Sequence, residues 1–437
     1  MIKREKGQAL VLMALAFVGM LGFVALAIDG GMIYSDRRFA QNGADASSLA
    51  GGGAGALSME NSHVLYQDFS CSDSRVLAAI AAAKTAAINR AADNSFAIDT
   101  NISDKNGVEV DCGITNEWYG KDKHIDIKVD ITKDTDSFFA HFVYNGPWRN
   151  SVEAVTRIRP RSPMAFGNAI VALNDAACSG NSNGVIFGGS SAMTINGGGV
   201  FSNGCLKGNG SGFGAEVNDG NVSYVDEATG TLSNISPAPS QAPTVLPNSS
   251  YEMRTPDCSS LPARSQSGDT LLPGVYNKIT LTNGELTLKP GLYCLTSSNT
   301  AFKILGGTLN GEHVTIYVLN GSISVSGNAE VSLSAPLDSP DPSPAIPGML
   351  FQMGRGNTNT VNIEGTSAST FVGTIYSPDG DIVLEGTGDA SSGGEDVTKF
   401  YTQLIGQDVT VTGNVDLNIN FNQSQNATIP AKLELYK

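Results

Sequence analysis

Lys278 to Leu333 reads KITLTNGELTLKPGLYCLTSSNTAFKILGGTLNGEHVTIYVLNGSISVSGNAEVSL. Short runs in it alternate apolar with polar residues: Ile279-Thr280-Leu281, Leu286-Thr287-Leu288, Phe302-Lys303-Ile304-Leu305, Ile323-Ser324-Val325 and Val331-Ser332-Leu333. A period of two marks strands with one wet face. Gly and Asn separate the runs, and both residues tolerate the left-handed backbone of a tight corner. Two architectures stack short strands in this way: a sandwich or barrel, and a parallel β-helix in which each coil adds a few strands to a column. The string Ser326-Gly327-Asn328-Ala329-Glu330-Val331 recurs as Thr412-Gly413-Asn414-Val415-Asp416-Leu417, like one repeated coil corner, and this favours the parallel β-helix, or solenoid.

Working outward, the same composition begins near Pro160-Arg161-Ser162-Pro163 and continues through Gly184 to Gly188, Ala192 to Gly197 and Thr370 to Tyr376. Residues 160–437 therefore read as a Gly/Asn-rich β-helix domain, with a Pro-rich insertion near 236–262. Upstream, Ser74 to Ala92 is Ala-rich behind Ser72-Asp73 and predicts a helix. Val108-Glu109-Val110-Asp111 and His124 to Ile131 alternate with period two, so residues 30–159 predict a small α+β domain.

Ala9 to Ile28 carries no charge. A helix of that length spans about 30 Å, the thickness of a bilayer core. Lys3, Arg4 and Lys6 precede it and Asp29 ends it, so the expectation for residues 1–29 is a cytoplasmic N-terminus and a single-pass transmembrane anchor, with the bulk of the chain periplasmic or extracellular. Leu15 belongs to the apolar surface of this run, and Gly19 and Gly22 leave one helix face smooth enough for another helix to approach. The helix is expected to continue past Met32 and to end or break at Gly51-Gly52-Gly53.

The net charge of -15 and the lack of a basic cluster beyond the N-terminus argue against nucleic acid as a partner. Six cysteines follow the anchor and allow fifteen pairings. Sequential pairs, Cys71 with Cys112, Cys178 with Cys205 and Cys258 with Cys294, keep each bridge within one domain and suit an oxidising exterior. No Cys-x-x-Cys appears, so no zinc or haem site is expected, and no nucleophile elbow, P-loop or dinucleotide fingerprint points to an enzyme. His313 beside Glu312 reads as an edge residue. Asp379, Asp381, Glu385 and Asp389 form an acidic group whose Asp379-Gly380-Asp381 reads as a turn, with calcium as the functional alternative and no other cofactor expected. Polar Asn/Ser/Thr faces leave a surface or glycan ligand open.

Gly7-Gln8-Ala9-Leu10, the apolar run, Ala27-Ile28-Asp29-Gly30-Gly31 and the string Gln41-Asn42-Gly43-Ala44-Asp45-Ala46-Ser47-Ser48-Leu49-Ala50-Gly51 resemble the N-terminal segment of TadG-like proteins of the tight-adherence (Tad/Flp) pilus system, most strongly over residues 7–51. The motif positions are Gln41, Asn42, Ala44, Asp45, Ala46, Leu49 and Ala50. The resemblance implies a membrane-anchored minor pilin-like or assembly component whose partners are the membrane and other pilus-system proteins, and it makes the α+β domain pilin-like. Processed pilins carry a Glu shortly after the cleaved Gly; this chain has Leu12 there, which favours a retained segment. The resulting expectation is pilus assembly or surface adhesion through a projecting β-helix. The alternatives are an anchored carbohydrate-active β-helix enzyme and a filament subunit.

Overall fold

The structure, a computed structural model, describes residues 8–436 apart from 101, 103–104, 119, 140–145, 179–182, 191, 338–344, 366–368, 387–398 and 414–416. Gly7, the side chain of Ala9, Asp389 and the Asn414-Val415-Asp416 part of the recurring string lie outside the described residues. The chain is β-dominated, with a long apolar N-terminal helix and large parallel sheets, and it divides into two compact units, Met1–Arg161 with Pro430–Lys437, and Ser162–Ile429.

In the first unit, helix α1 (Gln8–Asn61) runs unbroken for 54 residues. It passes straight through Gly51-Gly52-Gly53, where the sequence predicts an end. The reason lies in its buried positions: Ala40, Gly43, Ala44, Ser47, Ser48, Gly51, Gly52, Gly55 and Met59 follow the three- and four-residue spacing of one helix face. That face is made almost wholly of small residues. A Cβ on Gly52 would stand 2.6 Å from Thr156 Cγ2 and 2.8 Å from Leu433 Cδ1, and one on Gly51 would stand 2.9 Å from the Ala83 carbonyl oxygen. Each helical glycine costs about 1 kcal/mol in propensity; here the close approach it permits offsets that cost.

Helix α2 (Ser74–Asp93) starts on Asp73, whose side chain accepts the Arg75 amide, and buries Ala79, Ala83, Ala87 and Ala91, one residue per turn, in its packing against α1. Strands β1 (Gly107–Glu117), β2 (Gly120–Thr135) and β3 (Trp148–Arg159) follow in antiparallel pairing. Ile125, Ile127, Val129 and Ile131 of β2 are fully buried, as the alternation predicts. The strand Lys432–Leu435 returns to pair with β3, so this sheet is completed by the last residues of the chain. Cys71–Cys112 ties the approach of α2 to β1.

In the second unit, ten short strands form one parallel sheet: β4 (Ile170–Ala172), β5 (Val200–Ser202), β6 (Val222–Tyr224), β7 (Ser240–Gln241), β8 (Gly274–Tyr276), β9 (Gly291–Leu295), β10 (Val314–Val318), β11 (Met349–Met353), β12 (Thr374–Ser377) and β13 (Leu404–Gly406). Their spatial order is β7-β6-β5-β4-β13-β12-β11-β10-β9-β8. The C-terminal half of the unit therefore stacks ahead of the N-terminal half, and the two meet where Leu404 of β13 pairs with Ile170 of β4. A second sheet of 17 strands has the same seam. Its partners form an apolar column, Ile279, Phe302, Ile323, Val361, Ile382, Val409, Val185 and Leu206, each paired with the next and each buried. Each such side chain contributes about 1.5–3 kcal/mol on burial. Close strand stacking demands glycine in places: Gly307, within the strand Thr300–Gly311, has φ 82°, and a Cβ there would stand 2.3 Å from the Gly284 carbonyl oxygen.

This order obliges the segment between β7 and β8 to run back along the stack. It does so with regular attachments: Ala242 N–H donates to the Tyr224 carbonyl, Leu246 N–H to Asn203 Oδ1, Gln352 Nε2 to the Arg254 carbonyl, and Arg264 N–H to the Val275 carbonyl. Cys258–Cys294 pins it to β9. The Pro-rich stretch, which composition marks as an insertion, is thus part of a return strap. Leu246, Tyr251 and Met253 join Val171, Phe201, Tyr376 and Ile405 in one apolar cluster, which is why several strands of the ten-stranded sheet are buried on both faces.

Candidate membrane-anchoring site

From Leu10 to Ile28 the side chains of α1 touch almost nothing. Leu10 is 76% exposed and Phe23 77%; Leu15 and Ile28 are exposed too, and a Cβ on Gly19 or Gly22 would meet nothing within 4 Å. The most apolar window has a mean hydropathy of 2.7 and none of it is buried. Surface of this kind asks for lipid or another apolar helix in place of water.

The next residue changes character. Asp29 is 5% exposed. Its Oδ1 accepts the Phe138 amide at 2.8 Å, and its two carboxylate oxygens accept the Phe139 amide at 3.2 and 3.1 Å. Two turns later Asp36 Oδ2 accepts the Thr135 hydroxyl at 2.8 Å. The helix is therefore gripped by the end of β2 as soon as its apolar run stops. Further along, Gln41 donates to Asp45 Oδ1 and to the Glu153 carbonyl, and the Ser48 and Thr156 hydroxyls bond at 3.0 Å in a buried pair.

Residues 7–55 match the family model of a putative Flp pilus-assembly TadE/G-like domain. The Tad segment thus comprises the exposed apolar run together with most of the small-residue face. Within it the motif residues divide by role. Ala44 is buried; Gln41, Asp45, Ala46 and Ala50 are half-buried; Asn42 and Leu49 face outward. The glycine and serine positions between them carry the close packing that the sequence reading assigned to no role. A run of Ala, Gly and Ser at three- and four-residue spacing is the signal that would have shown it. No curated protein and no solved structure matches the chain.

The outer face of the small sheet holds a chain of ion pairs. Arg159 donates to both oxygens of Asp122 and also to Glu434, and Arg157 donates to both oxygens of Asp126 at 2.7 Å. Burial pushes the Asp122 and Glu434 carboxyls upward, but the hydrogen bonds and charge of Arg159 win and hold both below the usual carboxylate range. Arg159–Glu434 fastens the last strand to β3, and the Asp122 and Asp126 pairs fasten β2 to β3. Arg157 also stacks on the Tyr436 ring at 4.1 Å.

In the second unit the acidic group is dispersed among structural tasks. Asp379 Oδ2 accepts the Gly356 amide at 2.8 Å, Glu385 pairs with Glu364 along a ladder, and burial raises the Asp381 carboxyl. His313 adopts φ 58° in the bend before β10, and its carbonyl accepts the Gly291 amide. Among the described residues no group of three or more His, Cys, Asp or Glu is arranged to hold a metal ion. The disulfides are Cys71–Cys112, Cys178–Cys205 and Cys258–Cys294. A polar cleft of about 570 Å³, lined by Arg264, Gln266, Tyr276 and Lys278 among others, opens beside the first strand of the stack.

Proposed function

We propose that this chain is a membrane-anchored, exported component of a Tad/Flp-type pilus system that acts in pilus assembly or surface adhesion. The observation that carries the proposal is the coincidence of the Tad segment with a helix whose apolar half is unburied and whose other half is built into a folded unit. The apolar run crosses the membrane with the N-terminus in the cytoplasm, and the bulk lies in the periplasm or outside the cell. The two parallel sheets of the second unit are the walls of a β-helix, which presents a polar surface to other pilus proteins or to a surface or glycan ligand. This role is mechanical: it needs rigidity and attachment, and no catalytic step or cofactor enters it.

Deleting the chain from a piliated cell tests this reading. Loss of pili or of attachment to surfaces, restored by the full-length chain but not by one lacking residues 9–28, supports it. Unchanged piliation and attachment would sink it.

A further inference from the structure

We propose that the Phe138-Phe139 turn is a foot that rests in the bilayer surface and sets how the first unit stands on the membrane; this rests on the anchor reading of α1. Through Asp29 the turn is locked to the helix one residue after the exposed apolar run ends, at hydrogen-bond distances of 2.8 to 3.2 Å. Its height along the helix is thereby fixed at the place where lipid gives way to headgroups. Phe138 is nevertheless 65% exposed, with the Phe139 ring 5.3 Å away.

The bonds from this turn to Asp29 come from the backbone amides of Phe138 and Phe139, so they require no aromatic side chain at 138. A large apolar ring held outward beside the end of an apolar helix matches the membrane interface, where aromatic residues concentrate. Trp148 adds a second observation. It pairs with Thr135 in the β2–β3 ladder, at the same end of the sheet, and it is 41% exposed. Thr135 itself holds Asp36 of α1. Tyr34 of α1, 69% exposed, and the exposed Arg37 and Arg38 complete an aromatic and basic fringe just beyond the apolar run, which fits anionic lipid headgroups. The occupant is the lipid interface because this fringe continues the exposed apolar surface of Leu10 to Ile28.

The chain holds two tryptophans, and they make a built-in test. Trp118 lies at the other end of β2, whose 16 residues span about 50 Å. Full-length protein is reconstituted in phosphatidylcholine–phosphatidylglycerol vesicles carrying lipids brominated high on the acyl chain. Three single-tryptophan forms are compared: W118F, W148F, and F138W in a W118F/W148F background. The foot predicts blue-shifted emission and at least several-fold stronger bromolipid quenching for Trp148, and for tryptophan at position 138, than for Trp118. Equal, weak quenching at all three positions, in protein that still resists alkaline extraction from the vesicles, overturns the foot and leaves the anchor standing. Extraction of the protein from the vesicles overturns both. W118F compared with W148F reports the result should the position-138 variant fail to fold.

Discussion

The backbone amide of Gly184 donates to the carboxylate of Asp408 at 2.5 Å, although the two residues stand 224 positions apart in the chain. Asp408 is 9% exposed, and its other oxygen accepts from Asn174. Next to them Val409 pairs with Val185, and further along Asn420 accepts from Asn196, which accepts in turn from Asn218. The contacts of Asp408, Val409 and Asn420 close the seam at which the two halves of the second unit meet. Removing one partner of a buried hydrogen bond costs about 1–3 kcal/mol. Asp408→Ala is therefore expected to destabilise the protein by that amount in urea unfolding, and Asp408→Asn, which keeps an acceptor, by less. Equal and negligible effects of both would mean that the seam carries no load.

Gly52 and Gly53 are neighbours with opposite expected responses. Gly52→Val drives a branched side chain into Thr156 and Leu433 and should cost at least about 2 kcal/mol. Gly53 faces open space within α1, so Gly53→Ala should stabilise by up to about 1 kcal/mol. Thermal melts of the two variants check the pair. Similar effects of the two would contradict the close packing of α1.

Part of this architecture could be read from the residues. Period-two runs locate β2 and the strands around Ile279 and Ile323, and the uncharged run from Ala9 to Ile28 locates the exposed half of α1. Local pattern failed where a residue serves a distant partner. Gly51 to Gly53 read as a breaker because propensity sees the cost of glycine and not the Ala83 carbonyl beside it. The pairing of Leu404 with Ile170 leaves no local trace, since any apolar strand of the right length fits either neighbour. The Pro-rich stretch read as an insertion because its function as a strap depends on the order of the stack. Asp29 read as the end of the apolar run, and its grip on Phe138 depends on a loop far along the chain.

Acid should loosen the first unit through Arg159. Asp122 and Glu434 have folded pKa values below their ordinary ones, so their stabilisation is complete above the normal carboxylate range and is lost as pH falls through and below it. In Arg159→Met the melting temperature should be lower at neutral pH and should fall less steeply between about pH 5 and 3. Parallel pH profiles for the two proteins would contradict this.

The strap is held to β9 by Cys258–Cys294, whose partners lie 36 residues apart in sequence. Replacing both by serine should cost about 2–4 kcal/mol. It should also open the segment near 252–264 to limited proteolysis before the rest of the unit. Cleavage that begins elsewhere would show that other contacts suffice to hold the strap.

The most direct test of the central claim is the topology of α1 in cells. Membranes from cells expressing the full chain are washed at alkaline pH, and intact spheroplasts are treated with protease. The anchor reading predicts that the protein stays in the membrane pellet and that protease removes both folded units, leaving a short N-terminal fragment that contains the apolar run. Release into the alkaline supernatant, or complete protection from external protease, would contradict it.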